Sequence, residues 1–219
     1  MDGQTLQSKQ IAADYLRDFA SLLEKVDLEA VERVVERLRT ARDQGATVYV
    51  AGNGGSAATA SHWANDLGKA TRVSGRALMR VMSLTDSTPW FTALANDEGY
   101  DRVFAGQLEN FARPEDVLVV ISASGNSSNL VRAVECAAAR GVTTVGVLGF
   151  DGGALKPLVD DCLWLPTEKG AYGPVESGHT VLCDILTTCL IEDRVGALSA
   201  AVEAVEPPPA ERVAPVESS

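Results

Sequence analysis

From Ala46 onward, short β-branched or aliphatic runs alternate with longer helical stretches, and this alternation constrains the fold more than any other feature of the chain. The runs are 47–51, 81–84, 116–121, 143–148 and 162–165. The third, Asp116-Val117-Leu118-Val119-Val120-Ile121, is apolar without alternation, as a strand covered on both faces should be. Helices are predicted from about Ser56, from about Thr88 with a break near Gly99, from about Ser127 to Arg140, and from near Pro174 to about Val195. The pattern predicts an α/β fold: a doubly wound parallel sheet of five strands with helices on both faces.

The first 45 residues read as two helices. Ile11, Tyr15, Leu16, Phe19, Leu22, Leu23 and Val26 recur at helical spacing, and Asp27 stands as an N-cap ahead of Leu28, Val31, Val34, Val35 and Leu38. Their apolar stripe needs cover from the domain or from another subunit. The expected organisation is therefore a helical pair at 1–45, one α/β domain at 46–196 and a disordered tail at 197–219. Four prolines among Glu and Ser after 205 leave that tail little to bury.

The formal net charge of −11 disfavours nucleic acid and anionic membranes as partners. A phosphorylated ligand would also be repelled at long range, so local donors must hold it. No apolar run approaches the roughly 20 residues of a membrane span, and Met1–Leu16 lacks the pattern of a signal peptide, so a cytoplasmic location is expected. Cys136, Cys162, Cys183 and Cys189 are scattered without a CxxC pair and read as buried, reduced thiols.

Ligands of open α/β sheets bind beyond the carboxyl ends of the strands. Three such ends carry unusual loops here. Gly52-Asn53-Gly54-Gly55-Ser56 lets backbone approach a ligand and leads into a helix N-terminus. Ser122-Ala123-Ser124-Gly125-Asn126-Ser127-Ser128 brings four hydroxyls to the start of a helix, where each can donate to a phosphate oxygen. Ser127 as an N-cap accounts for one hydroxyl but not for Ser122 and Ser124, whereas Gly149-Phe150-Asp151-Gly152-Gly153 reads as a turn. Gly52-x-Gly54-x-x-Ala57 also matches a loose dinucleotide fingerprint. The acidic residue that motif requires would be Asp86, too far along the chain, and no P-loop sequence exists.

Taken in order, Gly52–Ser56, Ala58-Thr59-Ala60-Ser61-His62-Trp63-Ala64-Asn65-Asp66-Leu67-Gly68, Ala95-Asn96-Asp97-Glu98-Gly99-Tyr100, Ile121–Ser127, Gly149–Gly153 and Pro174-Val175-Glu176-Ser177-Gly178-His179 resemble the SIS (sugar isomerase) fold, and within it the phosphoheptose isomerases. The likeness spans roughly Leu16 to Leu190. It implies interconversion of sedoheptulose 7-phosphate and a mannoheptose 7-phosphate by a zinc-containing homotetramer. It further implies substrate contacts from Asn53, Gly54, Gly55, Ser56, Asn96, Asp97 and Glu176, and a phosphate held by Ser122, Ala123, Ser124 and Ser127. Ala123 stands where the family often has threonine.

Aldose–ketose isomerisation needs a base near the reacting carbon and an electrophile at the carbonyl. His62 and Asp66 share a helix face, as Glu176 and Asp184 roughly do eight residues apart. The family's metal ligands map onto these four positions, and its acid–base chemistry onto Asp66 and Asp184. Glu176 replaces a frequent glutamine and Asp184 a usual histidine, a more oxygen-rich set than zinc generally favours. His179 is an alternative for the missing histidine. A non-catalytic sugar-phosphate binder or scaffold of the same fold is the competing expectation.

Overall fold

The structure, a computed structural model, describes residues 2–72 and 75–203, with side chains described for 7–72 and 75–192. The elements run α1 (Asp2–Leu23), α2 (Leu28–Gln44), β1 (Thr47–Gly52), α3 (Gly55–Lys69), β2 (Arg80–Ser83), α4 (Thr88–Asp97), a 3-10 turn at Tyr100–Arg102, α5 (Ala105–Phe111), β3 (Val117–Ser122), α6 (Ser128–Ala138), β4 (Thr143–Leu148), β5 (Asp161–Trp164) and α7 (Tyr172–Glu203). All five strands pair in parallel, in the order β2-β1-β3-β4-β5. The winding reverses between β1 and β3, so the crevice where ligands collect in such sheets opens at the ends of these two strands.

Alternate residues of one strand enter different cores. Val117, Val119 and Ile121 pack with α2, α3 and α7, whereas Leu118 and Val120 pack with α4, α5 and α6. Both faces are covered, which is why the third run shows no polar alternation. Asp27 caps α2 by accepting the Ala30 N–H at 3.1 Å, as its position predicts.

The break near Gly99 is real: α4 stops at Asp97, and the 3-10 turn intervenes before α5. The last helix outruns its expected end at Val195 and continues to Glu203. Ala197, Ala200 and Ala201 are strong helix formers, so 197–203, assigned by sequence to the tail, are helical. The rest of that tail, 204–219, lies outside the described residues.

The α1 stripe is covered only in part. Leu22 is buried and Phe19 packs on the core, while Ile11, Tyr15 and Leu16 stay exposed. The four cysteines are all free, but only Cys183 is fully buried. Burial pushes its thiol pKa up, helped by the negative charges of Asp184 and Asp66. Burial likewise raises Cys162 to about 11, against an opposing pull from Lys156. Among the described residues no helix is long and apolar enough to cross a membrane.

Candidate functional site

At the switch point, the tips of β1 and β3 and the start of α7 enclose a cavity of about 180 Å³. Asn53, Ser56, Ser122, Ala123, Ser124, Ser127 and Glu176 line it, with Tyr172, Ile121 and Leu130. Loops far apart in sequence thus converge on one small, hydroxyl-rich pocket, as the donor pattern requires.

The loop hydrogen bonds leave those hydroxyls able to donate. The Gly125 N–H donates to Ser122 Oγ at 3.0 Å, and the Asn126 N–H to Ser124 Oγ at 3.3 Å. Each oxygen acts as an acceptor within the loop, so its proton is free for a ligand. Ser127 occupies the N-cap position of α6, yet its side chain makes no capping bond. Gly54 holds the N-cap of α3 and has no side chain to offer. Two uncapped helix N-termini therefore supply backbone N–H groups and positive dipole ends to an anion. No arginine or lysine lines the cavity.

The 149–153 turn buttresses the serine loop. The Ala154 N–H donates to Asn126 Oδ1 at 3.0 Å, the Leu155 N–H to the Gly125 carbonyl at 3.0 Å, and the Gly149 N–H to the Ser122 carbonyl at 3.1 Å. Gly125 has a φ of 65°, and a Cβ there would lie 2.0 Å from the Gly152 carbonyl oxygen. The turn reading of 149–153 holds, with this supporting role added. Phe150 adopts a φ of 43°. It is held there by its N–H to Thr167 Oγ1, by the Trp164 indole N–H to its carbonyl, and by the edge-on ring of Tyr172.

Helices α3 and α7 pack against each other, and Ser56 of the first and Tyr172 and Glu176 of the second reach the cavity. A Cβ on Gly55 would lie 2.6 Å from the Glu176 carboxylate, so only glycine lets that carboxylate sit so close. Further along, Thr59 Oγ1 meets Thr180 Oγ1 at 3.4 Å, and the Trp63 indole N–H donates to Thr187 Oγ1 at 3.1 Å. His62 Nε2 lies 3.2 Å from Asp66 Oδ2, with the histidine more than half exposed. His62, Asp66 and the exposed Asp184 do not line the cavity.

Among the described residues no three His, Cys, Asp or Glu side chains stand close enough to share an ion. The His62–Asp66 pair gains no third ligand from Glu176 or Asp184, so the donor set as it stands does not fit a pre-formed zinc centre. His179 does not repair this. It is fully buried, neither ring nitrogen makes a hydrogen bond, and burial lowers its pKa to about 4. The backbone of Leu148 opposes that shift to a smaller extent.

Asn96 and Asp97 also lie off the cavity, exposed at the end of α4, with Asn96 Nδ2 donating to Asp97 Oδ1 at 2.7 Å. From the same segment Tyr100 reaches the site instead, donating to Asn53 Oδ1 at 3.0 Å. Asn129 pairs with Asn53 through two 2.9 Å amide bonds. Tyr172, Tyr100 and Asn129 were not singled out by sequence. The only local signals were a tyrosine ending the Asn96–Asp97 motif and an asparagine in the first turn of α6.

A model of the SIS domain matches residues 14–149, so the sheet and its hydroxyl-lined crevice are those of an SIS-domain protein. Over 181 residues the chain is 37% identical to a phosphoheptose isomerase of Trichlorobacter lovleyi, covering 80% of this chain and 91% of that one. The chain belongs to the phosphoheptose isomerase family and is a sugar-phosphate isomerase. The Rhodospirillum rubrum enzyme of that name is 42% identical over 149 residues, 67% of this chain and 78% of its own. The structure of a phosphoheptose isomerase from Neisseria gonorrhoeae superposes with a TM-score of 0.75 at 30% identity, covering 84% of this chain and 98% of that one.

Proposed function

We propose that the chain interconverts sedoheptulose 7-phosphate and D-glycero-D-manno-heptose 7-phosphate through an enediol. The observation that carries this reading is the cavity in which Ser122, Ser124, Ser127, Ser56 and Asn53 face one small volume. Hydroxyl protons and the N-termini of α3 and α6 hold the phosphate without a formal positive charge. The Glu176 carboxylate would repel a phosphate, so it faces the sugar, and the chain of carbons extends from the serines toward α3 and α7.

In this reading Asp66, oriented by His62, takes a proton from C1 of the ketose while the C2 oxygen gains one. The resulting enediol loses its C1 hydroxyl proton as C2 is reprotonated, which gives the aldose. Asp184 is assigned the oxygen-bound proton. A resident divalent cation has no part in this scheme, and elemental analysis of the purified protein tests that choice. Assembly into a homotetramer, supported by the uncovered Ile11, Tyr15 and Leu16, is read by light scattering.

Incubation with sedoheptulose 7-phosphate, followed by proton NMR of the aldose anomeric signal, tests the function. A new anomeric signal at equilibrium is expected. No aldose, with or without added zinc, manganese or magnesium, would leave a sugar-phosphate-binding protein, a reading that the separated His62–Asp66 pair and Asp184 favour.

A further inference from the structure

We infer that Tyr100 is a positioning residue that holds the Asn53 amide in its donor orientation toward the substrate; this rests on the proposed sugar-phosphate reading of the cavity. Asn53 Oδ1 accepts from both the Tyr100 hydroxyl, at 3.0 Å, and Asn129 Nδ2, at 2.9 Å. Its acceptor capacity is thereby filled. Asn53 Nδ2 gives one hydrogen to Asn129 Oδ1 at 2.9 Å. The amide lines the cavity, so what it has left to offer a ligand is a single N–H.

A reciprocal amide pair is symmetric: if both side chains flip together, the two bonds survive and Asn53 presents oxygen instead of nitrogen. Oxygen facing an ionised phosphate oxygen is repulsive, since neither can donate. A phenol donates more strongly than it accepts, so the Tyr100 hydroxyl breaks the symmetry in favour of the binding-competent state.

Tyr100 is itself well placed to do this although 55% exposed. Its ring packs edge-on against Phe91 at 5.8 Å, and Phe91 packs on the fully buried Phe104 at 5.6 Å. Its neighbour Arg102 is tied to Glu109 at 2.8 Å. The hydroxyl is thus presented by a rigid segment, and losing it disturbs no core packing.

The test uses full-length Tyr100→Phe, which keeps the ring and deletes the hydroxyl. Expected are displaced Asn53 side-chain amide resonances in the ligand-free protein, a KM for sedoheptulose 7-phosphate raised about three- to tenfold, and an unchanged melting temperature. Asn129→Ala should raise KM as well, and the double variant by less than the product of the two single effects. Unmoved amide resonances, or a KM equal to wild type, overturn the inference. The resonances need no turnover. A wild-type protein that isomerises nothing therefore sinks the proposed function, while they still decide the role of Tyr100.

Discussion

The two ends of the packed α3–α7 pair are built differently. At the serine-loop end the Ser122 and Ser124 hydroxyls are already aligned by backbone donors, the loop is braced by the 149–153 turn, and Ser122 and Ser56 are buried. At the other end a half-exposed His62 pairs with Asp66, and Asp184 stands in solvent. An anion-binding site has to be ready beforehand, because reorganising donors around a phosphate would consume the binding energy. Groups that move protons can stay open until a substrate excludes water from them. In the proposed reading the contrast teaches that recognition is preassembled within one chain, whereas the chemical end is completed on binding.

The sharpest attempt to break this contrast is Asp66→Asn. Turnover should fall by about 10²- to 10⁴-fold, while calorimetry shows sugar-phosphate affinity kept. An unaltered kcat would move the chemistry to Glu176, inside the cavity, and the two ends would merge. Gly125→Ala attacks the other end. The positive φ and the 2.0 Å approach to the Gly152 carbonyl should cost about 2–4 kcal/mol in urea unfolding and weaken phosphate binding.

His179 lies between the ends and gives a pH signature. In the fold its pKa is lowered to about 4, whereas the unfolded chain binds the proton near 6.5. Its contribution is complete above pH 6.5 and is lost as pH falls toward 4, at most about 3 kcal/mol. Thermal melts from pH 7 to 4 should show a flatter decline for His179→Leu than for wild type; parallel curves would mean the ring is protonated in place. The smallest effect expected is that of zinc. Adding it to chelator-treated protein should leave the melting temperature unchanged, and a rise of several degrees would show that the open end closes on a metal.

Much of this molecule was legible in its residues. The unbroken apolar run 116–121 could be satisfied only by two covered faces, and β3 has them. Asp27 declared the start of α2, and the serine cluster declared the lining of the cavity at the tips of β1 and β3. The hydroxyl of Ser127 was misassigned as a helix cap because propensity describes a position and not where a side chain turns. Tyr100 and Asn129 could not be read, since their roles arise from bonds to Asn53 across 47 and 76 residues of sequence. In the motif containing Asn96 and Asp97 these two side chains pair with each other off the cavity, and its tyrosine bonds to the cavity-lining Asn53.

The contacts that lock α3 to α7, Thr59 with Thr180 and Trp63 with Thr187, have one more consequence. They set a caliper. Ser56 and Asp66 are separated by about 15 Å of helix axis, a gap that side chains leaning toward the N-terminus shorten but do not close. In the proposed reading a three-carbon phosphate anchored at the serines would stop well short of Asp66, and a longer carbon backbone comes closer to it. Selection by length of this kind needs no contact with any individual hydroxyl of the sugar. It resides in the stiffness of two neighbouring rods.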